Sequence, residues 1–158
     1  MKIFLAAAAL VFIAGSATGQ PVDPVKPDDP QSAVLLRTMM FGWWFGETPT
    51  KDGGRRMQIV ERRRDGTMTI RFRVIDAAGN VEDTTDLALW GISGPVYFTI
   101  AQGWFDGRDF HPADPTQSYY YDAYEILELT DRTFRYRHFT TGSEYRLDRV
   151  SPDFDFPE

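Results

Sequence analysis

The sequence predicts an all-β fold, an antiparallel up-and-down barrel of about eight strands with a short N-terminal helical turn. Short runs rich in β-branched and aromatic residues recur at hairpin spacing and are bounded by Gly, Pro, Asn or Asp. After Arg37, no segment has the 3.6-residue period of an amphipathic helix. The connections are short, and a meander of this kind removes its exposed edges most economically by closing. An open sandwich is the alternative fold.

The clearest element is a hairpin between residues 56 and 75, with its turn at Asp65-Gly66. Asp-Gly between alternating runs is a strong hairpin signal, and a two-residue turn of this type needs positive φ at both positions. After the turn, one face is apolar and the other carries Thr and Arg. The apolar face consists of Met68, Ile70, Phe72 and Val74. This alternation predicts a sheet that is buried on one side and solvated on the other.

The first residues have the features of an export signal. Lys2 supplies positive charge, residues 3–13 are apolar, and small residues suited to cleavage follow. An uncleaved anchor or a buried helix is the less favoured alternative. We therefore expect an exported protein, in the periplasm or the medium. The predicted segments are a signal peptide over 1–19, a Pro-rich acidic leader over 20–31, a barrel domain over 32–150 and an acidic tail over 151–158.

Composition limits the classes of partner. The chain has no cysteine, which excludes disulfides and thiolate metal sites. Its formal net charge of −6 argues against nucleic acid as a partner, because phosphate binding depends on clustered Lys and Arg. No apolar run after the signal approaches the roughly 20 residues that span a bilayer. We expect a monomer with no nucleic-acid partner and no membrane span.

The beginning of the domain is predicted from its capping and apolar residues. Ser32 is expected to cap a short helical turn that extends to Arg37, and the first strand is expected over residues 39–46. The strand over residues 81–89 carries acidic side chains, which indicates an exposed or edge position. The acidic tail contains two phenylalanines, which either fold back onto the domain or fray.

The second half alternates strands and turns. In the strand that begins at residue 96, Val96, Phe98 and Ile100 alternate with Tyr97 and Thr99, and the side chain of Phe98 is predicted to point inward. Residues 102–117 are predicted to be irregular, and loops of this length are often functional. The remaining predicted strands cover residues 118–129, 133–139 and 143–150.

One motif resembles a known family. Gly42-Trp43-Trp44, after a short helical turn and before a meander, resembles the lipocalin-like (calycin) barrels, whose Gly-x-Trp signature Gly42 and Trp44 match. The resemblance extends over residues 32–150. Its other matching residues are Asp65-Gly66-Thr67, Trp90, Tyr136-Arg137, Thr141-Gly142 and Arg149-Val150. It implies that Trp44 plugs the closed end and that Arg146 or Arg149 lies over the indole in a cation–π contact.

The resemblance also implies an exported, non-catalytic protein that binds a small hydrophobic or amphiphilic ligand without a cofactor. Aromatic side chains on inward positions of a small barrel either fill the lumen or line a pocket. The candidate ligand-binding residues are Trp44, Phe72, Phe98, Trp104, Tyr124, Tyr136 and His138. The alternative is a barrel with a filled lumen that binds an envelope protein or a protease through its loops.

Other candidate residues favour neither catalysis nor a metal. Neither His111 nor His138 is accompanied by a nucleophile or by a second imidazole at metal-ligand spacing. We therefore predict no catalytic residue and no metal ligand. The run Arg62-Arg63-Arg64 is interpreted as a solubilising strand end that blocks edge pairing. The alternative role for this run is a contact to an anion or a lipid headgroup.

Overall fold

One α-helix and nine strands make up the described part of the chain, residues 30–157 of the computed structural model. The elements are α1 Pro30–Met40, β1 Gly42–Pro49, β2 Arg55–Arg62, β3 Thr67–Ile75, β4 Val81–Ser93, β5 Val96–Asp106, β6 Asp109–Pro112, β7 Tyr121–Leu129, β8 Thr133–His138 and β9 Glu144–Val150. A 3₁₀ turn at Ser118–Tyr120 precedes β7. The predicted signal peptide and most of the predicted leader lie outside the described residues.

The sheet closes into an eight-stranded antiparallel barrel, which confirms the predicted fold class. β1 pairs with β9, and Trp44 lies opposite Arg149. β4 pairs with β5, so the two halves of the meander are joined on both sides. β6 pairs with the far end of β5 and extends that hairpin beyond the barrel wall.

Gly46 allows the close approach of β1 to β9. A Cβ atom at this position would lie 2.3 Å from Leu147 Cδ2 and 2.7 Å from the carbonyl oxygen of Arg146. Both separations are shorter than van der Waals contact, so any larger residue would push β9 away from β1.

Helix α1 covers the closed end of the barrel. Leu36 and Met40 are buried against Trp44, whose indole N–H donates to the Met40 carbonyl over 2.9 Å. The Arg149 guanidinium carbon lies 4.2 Å from the Trp44 ring centroid. The predicted plug is therefore confirmed, with Arg149 as its arginine. Arg146 pairs instead with the Asp148 carboxylate at 2.8 Å.

Helix α1 is longer than predicted, and the predicted start of the first strand at residue 39 is wrong. The helix includes Met40, and β1 begins at Gly42, whose φ of +100° favours glycine. Leu36 and Met40 are four residues apart, so both side chains lie on the helix face that covers the barrel.

The β2–β3 hairpin is confirmed, but its turn differs from the predicted one. Only Gly66 has positive φ, at +88°, and Asp65 does not. The Gly66 N–H donates to the Arg63 carbonyl over 3.2 Å, and Arg62 pairs with Met68. The loop is therefore one residue longer than an Asp-Gly turn. The Asp65 carboxylate accepts from the Thr67 N–H and hydroxyl, and these hydrogen bonds lower the pKa of Asp65.

The chain after β9 folds back over the outer face of β1 to β3. Phe156 is buried with Met57 and Ile59, and the Phe154 ring centroid lies 5.1 Å from that of Phe45. This second apolar cluster covers the face that was predicted to be solvated. The prediction of a one-sided sheet is therefore wrong for this part of the barrel.

Two further predictions about strands need correction. Residues 102–117 are not irregular throughout, because β5 continues to Asp106 and pairs with β6. The strand predicted over residues 81–89 is not an edge strand over most of its length, since all nine residues pair with β3 and residues 85–89 also pair with β5. The prediction of an edge position holds only for residues 81–84, which have no second neighbour within the described chain.

Candidate functional site

The barrel encloses a cavity of about 330 Å³ that opens at the end opposite α1. It is lined by Thr48, Arg56, Gln58, Val60, Arg62, Met68, Ile70, Phe72, Asp86, Ala88, Tyr97, Thr99, Ala101, Tyr119, Tyr120, Asp122, Tyr124, Tyr136, His138, Thr141 and Tyr145. The volume is near the lower limit of the ~300–1,000 Å³ that is usual for small-molecule sites. It is about twice the ~150 Å³ cavity that accommodates a benzene molecule.

Strand β2 directs its polar side chains into this cavity. Arg56, Gln58 and Arg62 line it, and Met57 and Ile59 lie on the outer face. This reverses the usual arrangement of an antiparallel sheet, which places apolar residues inside. The reversal is stable here because the phenylalanines of the folded-back tail bury the outer apolar residues.

Arg62 lies at the floor of the cavity and is only 2% exposed. Its Nη2 donates to the Tyr97 hydroxyl over 3.0 Å, and its guanidinium lies over the rings of Tyr97 and Phe134. Nε and Nη1 have no hydrogen-bond partner among residues 30–157, and no described carboxylate lies within 4.0 Å of the side chain. An unpaired buried charge is costly, and arginine does not lose its proton in proteins.

The second arginine near the closed end increases the positive character of this region. Arg149 is exposed overall, yet partial desolvation of its guanidinium group and the nearby positive charge of Arg62 lower its pKa, and Asp131 acts in the opposite direction. The two guanidinium groups therefore repel each other. The floor of the cavity is a region of positive potential inside a protein whose net charge is negative.

Four tyrosines form the aromatic wall above Arg62. Tyr97 stacks on Tyr124 with 5.3 Å between ring centroids, and Tyr136 stacks on Tyr145 at 5.2 Å. The two pairs meet edge to face, with the centroids of Tyr124 and Tyr136 5.1 Å apart. Burial raises the pKa of both Tyr124 and Tyr136. Their phenols are protonated at neutral pH, as tyrosine ordinarily is, and can donate hydrogen bonds.

Asp86 is a partly buried carboxyl group of the cavity lining. It lies opposite Ile70 on β3 and opposite Trp104 on β5. Burial raises the pKa of Asp86, and the positive charge of Arg56 acts in the opposite direction. The Arg56 guanidinium also lies 4.0 Å from the Phe72 ring centroid, so it packs across the wall on the open side of the cavity.

The β5–β6 hairpin contributes an aromatic stack beside the mouth. Trp104 stacks on His111 with 5.6 Å between centroids, and its centroid is 6.4 Å from that of Tyr120. Tyr119 and Tyr120 line the cavity themselves. Trp104 is therefore linked to the mouth through Tyr120.

His138 and Asp122 form a hydrogen-bonded pair on the cavity wall. Nε2 of His138 lies 3.0 Å from Oδ1 of Asp122. Nδ1 accepts from the backbone N–H groups of Thr140 and Thr141, both at 3.1 Å. We infer that Nε2 carries the ring proton and donates a hydrogen bond to the carboxylate of Asp122. Both ring nitrogens are then engaged, and neither is left to act as a general base.

The structure places four of the seven candidate residues around the cavity: Phe72, Tyr124, Tyr136 and His138. Trp44 belongs to the closed end, and Trp104 packs beside the mouth. The predicted inward position of Phe98 is wrong, because its neighbours Tyr97 and Thr99 line the cavity. The Phe98 ring lies on the outer face, over Gly91. That the four cavity-lining candidates bind a ligand stays a prediction.

The run of three arginines is divided between different surroundings. Arg62 points into the cavity. Arg63 lies outside and pairs with Glu61, and Arg64 lies 5.4 Å from the Phe41 ring centroid. The interpretation as a solubilising strand end is therefore wrong for Arg62. The inward position of Arg62 follows from its pairing with Met68 on the inner face, which the structure shows and the predicted two-residue turn does not give.

Other kinds of site are not found in the described part of the chain. Residues 30–157 contain no cluster of three or more His, Cys, Asp or Glu residues that could hold a metal ion. No helix within the same range combines the length and the apolar character that a membrane crossing requires.

The sequence matches no protein-family model, and no curated protein matches it. Among solved structures, a lipocalin-like protein from Bacteroides uniformis is similar, with a TM-score of 0.42 and 11% identity over 71% of this chain and 99% of that chain. A de novo designed fluorescence-activating β-barrel has a TM-score of 0.37 and 14% identity over 72% of this chain and 94% of the design. The strand pairing shows a closed, eight-stranded antiparallel β-barrel, and the packing of Arg149 on Trp44 agrees with what the resemblance to lipocalin-like barrels implies.

Proposed function

We propose that this protein binds a small hydrophobic or amphiphilic ligand inside the barrel and does not catalyse its conversion. The observation that carries the proposal is the cavity of about 330 Å³, which has one open end and an aromatic wall. A lumen filled by side chains, as the alternative of an interaction or inhibitor barrel requires, would leave no such space.

The size of the cavity limits the ligand. Its volume suits a compact molecule of about two rings, or a short aliphatic chain, by comparison with the ~150 Å³ cavity that takes benzene. The tyrosine hydroxyls and Asp122 provide polar contacts within reach of the same space. These features favour an amphiphilic ligand over a purely apolar one.

The proposal is tested by blocking the cavity. Ala101 lines it, and Ala123 on the neighbouring strand β7 is exposed on the outer face. Tryptophan fluorescence and thermal stabilisation are followed with a panel of hydrophobic dyes and fatty acids of increasing chain length. Ala101→Phe is expected to weaken binding at least about tenfold, since a phenyl ring would occupy the ligand's space. Ala123→Phe is the matched control and is expected to bind like the wild type.

The result that would reject the proposal is the absence of both quenching and stabilisation across the whole panel. Binding that is equal in the Ala101→Phe variant and in the wild type would place the ligand outside the barrel and reject it as well.

We also propose that the protein is exported, on the basis of the sequence features of residues 1–19. Mass spectrometry of the protein isolated from the periplasm or the medium tests this. A mature chain that begins near Gln20 is expected, and an intact Met1 in the cytosolic fraction would contradict export.

A further inference from the structure

The floor of the cavity carries a feature that an apolar binding site does not require. Arg62 is buried and permanently charged, and two of its three nitrogen atoms have no partner among residues 30–157. Leaving donors of a buried cation unpaired is unfavourable. A barrel that served only apolar ligands would gain stability from an apolar residue here.

The charge is held in place rather than left to relax into solvent. The Tyr97 hydroxyl accepts from Nη2, and the aromatic rings of Tyr97 and Phe134 pack against the guanidinium plane. The Tyr97 hydroxyl also contacts the sulfur of Met68 at 3.6 Å, which fixes its orientation. The positive charge is therefore pre-organised at the deep end of the lumen.

We propose that Arg62 is the anion-binding subsite of the cavity, and that the ligand is a compact monocarboxylate whose acid group points toward the floor. This inference rests on the proposed function. The carboxylate would supply the counter-charge that the described residues do not, and guanidinium groups bind carboxylates well. The apolar body of the ligand then lies against Tyr97, Tyr124 and Tyr136.

The charged side chains of the lining favour a ligand with one negative charge over a ligand with two. Arg62 is the cation of the floor, and the other lining arginine, Arg56, packs on Phe72 at the open side. Asp86 and Asp122 also line the cavity, and both would repel a second negative charge near the mouth. A dianion such as a phosphate monoester is therefore disfavoured.

The test compares an acid with its neutral analogue. 2-Naphthoate and 2-naphthamide have nearly the same shape and differ in charge, and their affinities are measured by calorimetry at neutral pH. The wild type is expected to bind the acid at least about tenfold more tightly than the amide, because hydrogen bonds to charged groups contribute more than neutral ones. Arg62→Met is expected to bind both probes with similar affinity.

Two control variants locate the effect. Arg63→Met changes the adjacent residue on the outer face and is the control that is expected to keep the preference for the acid. Arg56→Met removes the other arginine of the lining, and loss of the preference in this variant would assign the charge recognition to the open side. If Arg62→Met does not fold, as judged by circular dichroism, then Arg62→Gln takes its place.

The outcomes are distinct. Equal affinity of the wild type for acid and amide overturns the anion subsite and leaves the binding function intact. A preference that survives in the Arg62 variant, or that is lost in Arg56→Met, places the charge recognition elsewhere and also overturns it. If neither probe binds and the dye panel is negative too, the proposed function fails and the subsite fails with it.

Discussion

The closed end of the barrel and the floor of its cavity each contain an arginine, and the two differ in how their hydrogen-bonding groups are satisfied. Arg149 is exposed, yet it packs on Trp44 and donates to the carbonyl oxygens of Met39, Phe41 and Asp131. Arg62 is buried, yet it donates to a single hydroxyl group. The more buried of the two arginines is therefore the one with fewer hydrogen-bond partners.

This difference separates a structural role from a functional one. Buried polar groups in folded proteins are nearly always paired. A buried cation that lacks partners therefore points to a binding role that outweighs its cost to stability. The packing at the closed end, in contrast, accounts fully for the position of Arg149.

The largest effect is expected at the closed end. Trp44→Ala would remove a fully buried indole and its hydrogen bond to Met40. We expect a loss of about 3–5 kcal/mol in the free energy of unfolding, measured by urea denaturation. Trp104→Ala, beside the mouth, is the matched control and should cost clearly less. Similar losses in both variants would contradict the assignment of Trp44 as the plug.

An intermediate effect is expected where the first and last strands meet. Gly46→Ala would place a methyl group within 2.3 Å of Leu147 Cδ2, and we expect a loss of about 1–3 kcal/mol from overpacking. Amide exchange of the β1 and β9 residues should accelerate in this variant. Unchanged stability and exchange would show that the two strands can separate without cost.

The much larger Ala101→Phe substitution in the cavity should be tolerated, because there is space for it.

The smallest effect concerns the wall of the cavity and depends on pH. Because burial raises the pKa of Asp86, the folded protein binds the carboxyl proton of Asp86 more tightly than the unfolded chain does. The resulting stabilisation is complete below the unfolded value of about 3.9 and is lost as the pH rises through the folded value. Asparagine does not ionise, so Asp86→Asn does not lose stability in this way. The free energy of unfolding of the variant should therefore increase relative to the wild type as the pH is raised from acidic to neutral. A difference that is constant with pH would contradict the burial of this charge.

The closed end could be predicted from local motifs. In any meander that closes, the first and last strands are neighbours, so Trp44 and Arg149 come close together. Small errors in the predicted strand boundaries do not change this contact. The error at residues 39–41 illustrates this, because the helix is longer than expected and Trp44 still plugs the barrel.

The cavity could not be predicted in the same way, because side-chain direction depends on register. A two-residue turn at Asp65-Gly66 would pair Arg62 with Thr69, on the outer face. The observed loop is one residue longer and pairs Arg62 with Met68, which turns the arginine inward. Phe98 was misplaced for a related reason, since the inner face of β5 carries Tyr97 and Thr99, and the apolar residue lies outside.

The apolar outer face of β2 could not be predicted from the sequence, because its cover comes from far along the chain. Met57 and Ile59 are buried by the tail phenylalanines, almost a hundred residues later in the sequence. Nothing in the local alternation indicates that contact. Once the tail folds back, the polar residues of β2 are left to line the cavity.

The central claim is that Arg62 is retained for binding at the expense of stability. The most direct test is the free energy of unfolding of Arg62→Met and Arg149→Met, measured by urea denaturation without ligand. We expect Arg62→Met to gain about 1–4 kcal/mol, because an apolar side chain replaces an unpaired buried charge. Arg149→Met should lose about 2 kcal/mol, because three carbonyl groups and the indole lose their partner. A loss of stability in both variants would contradict the claim.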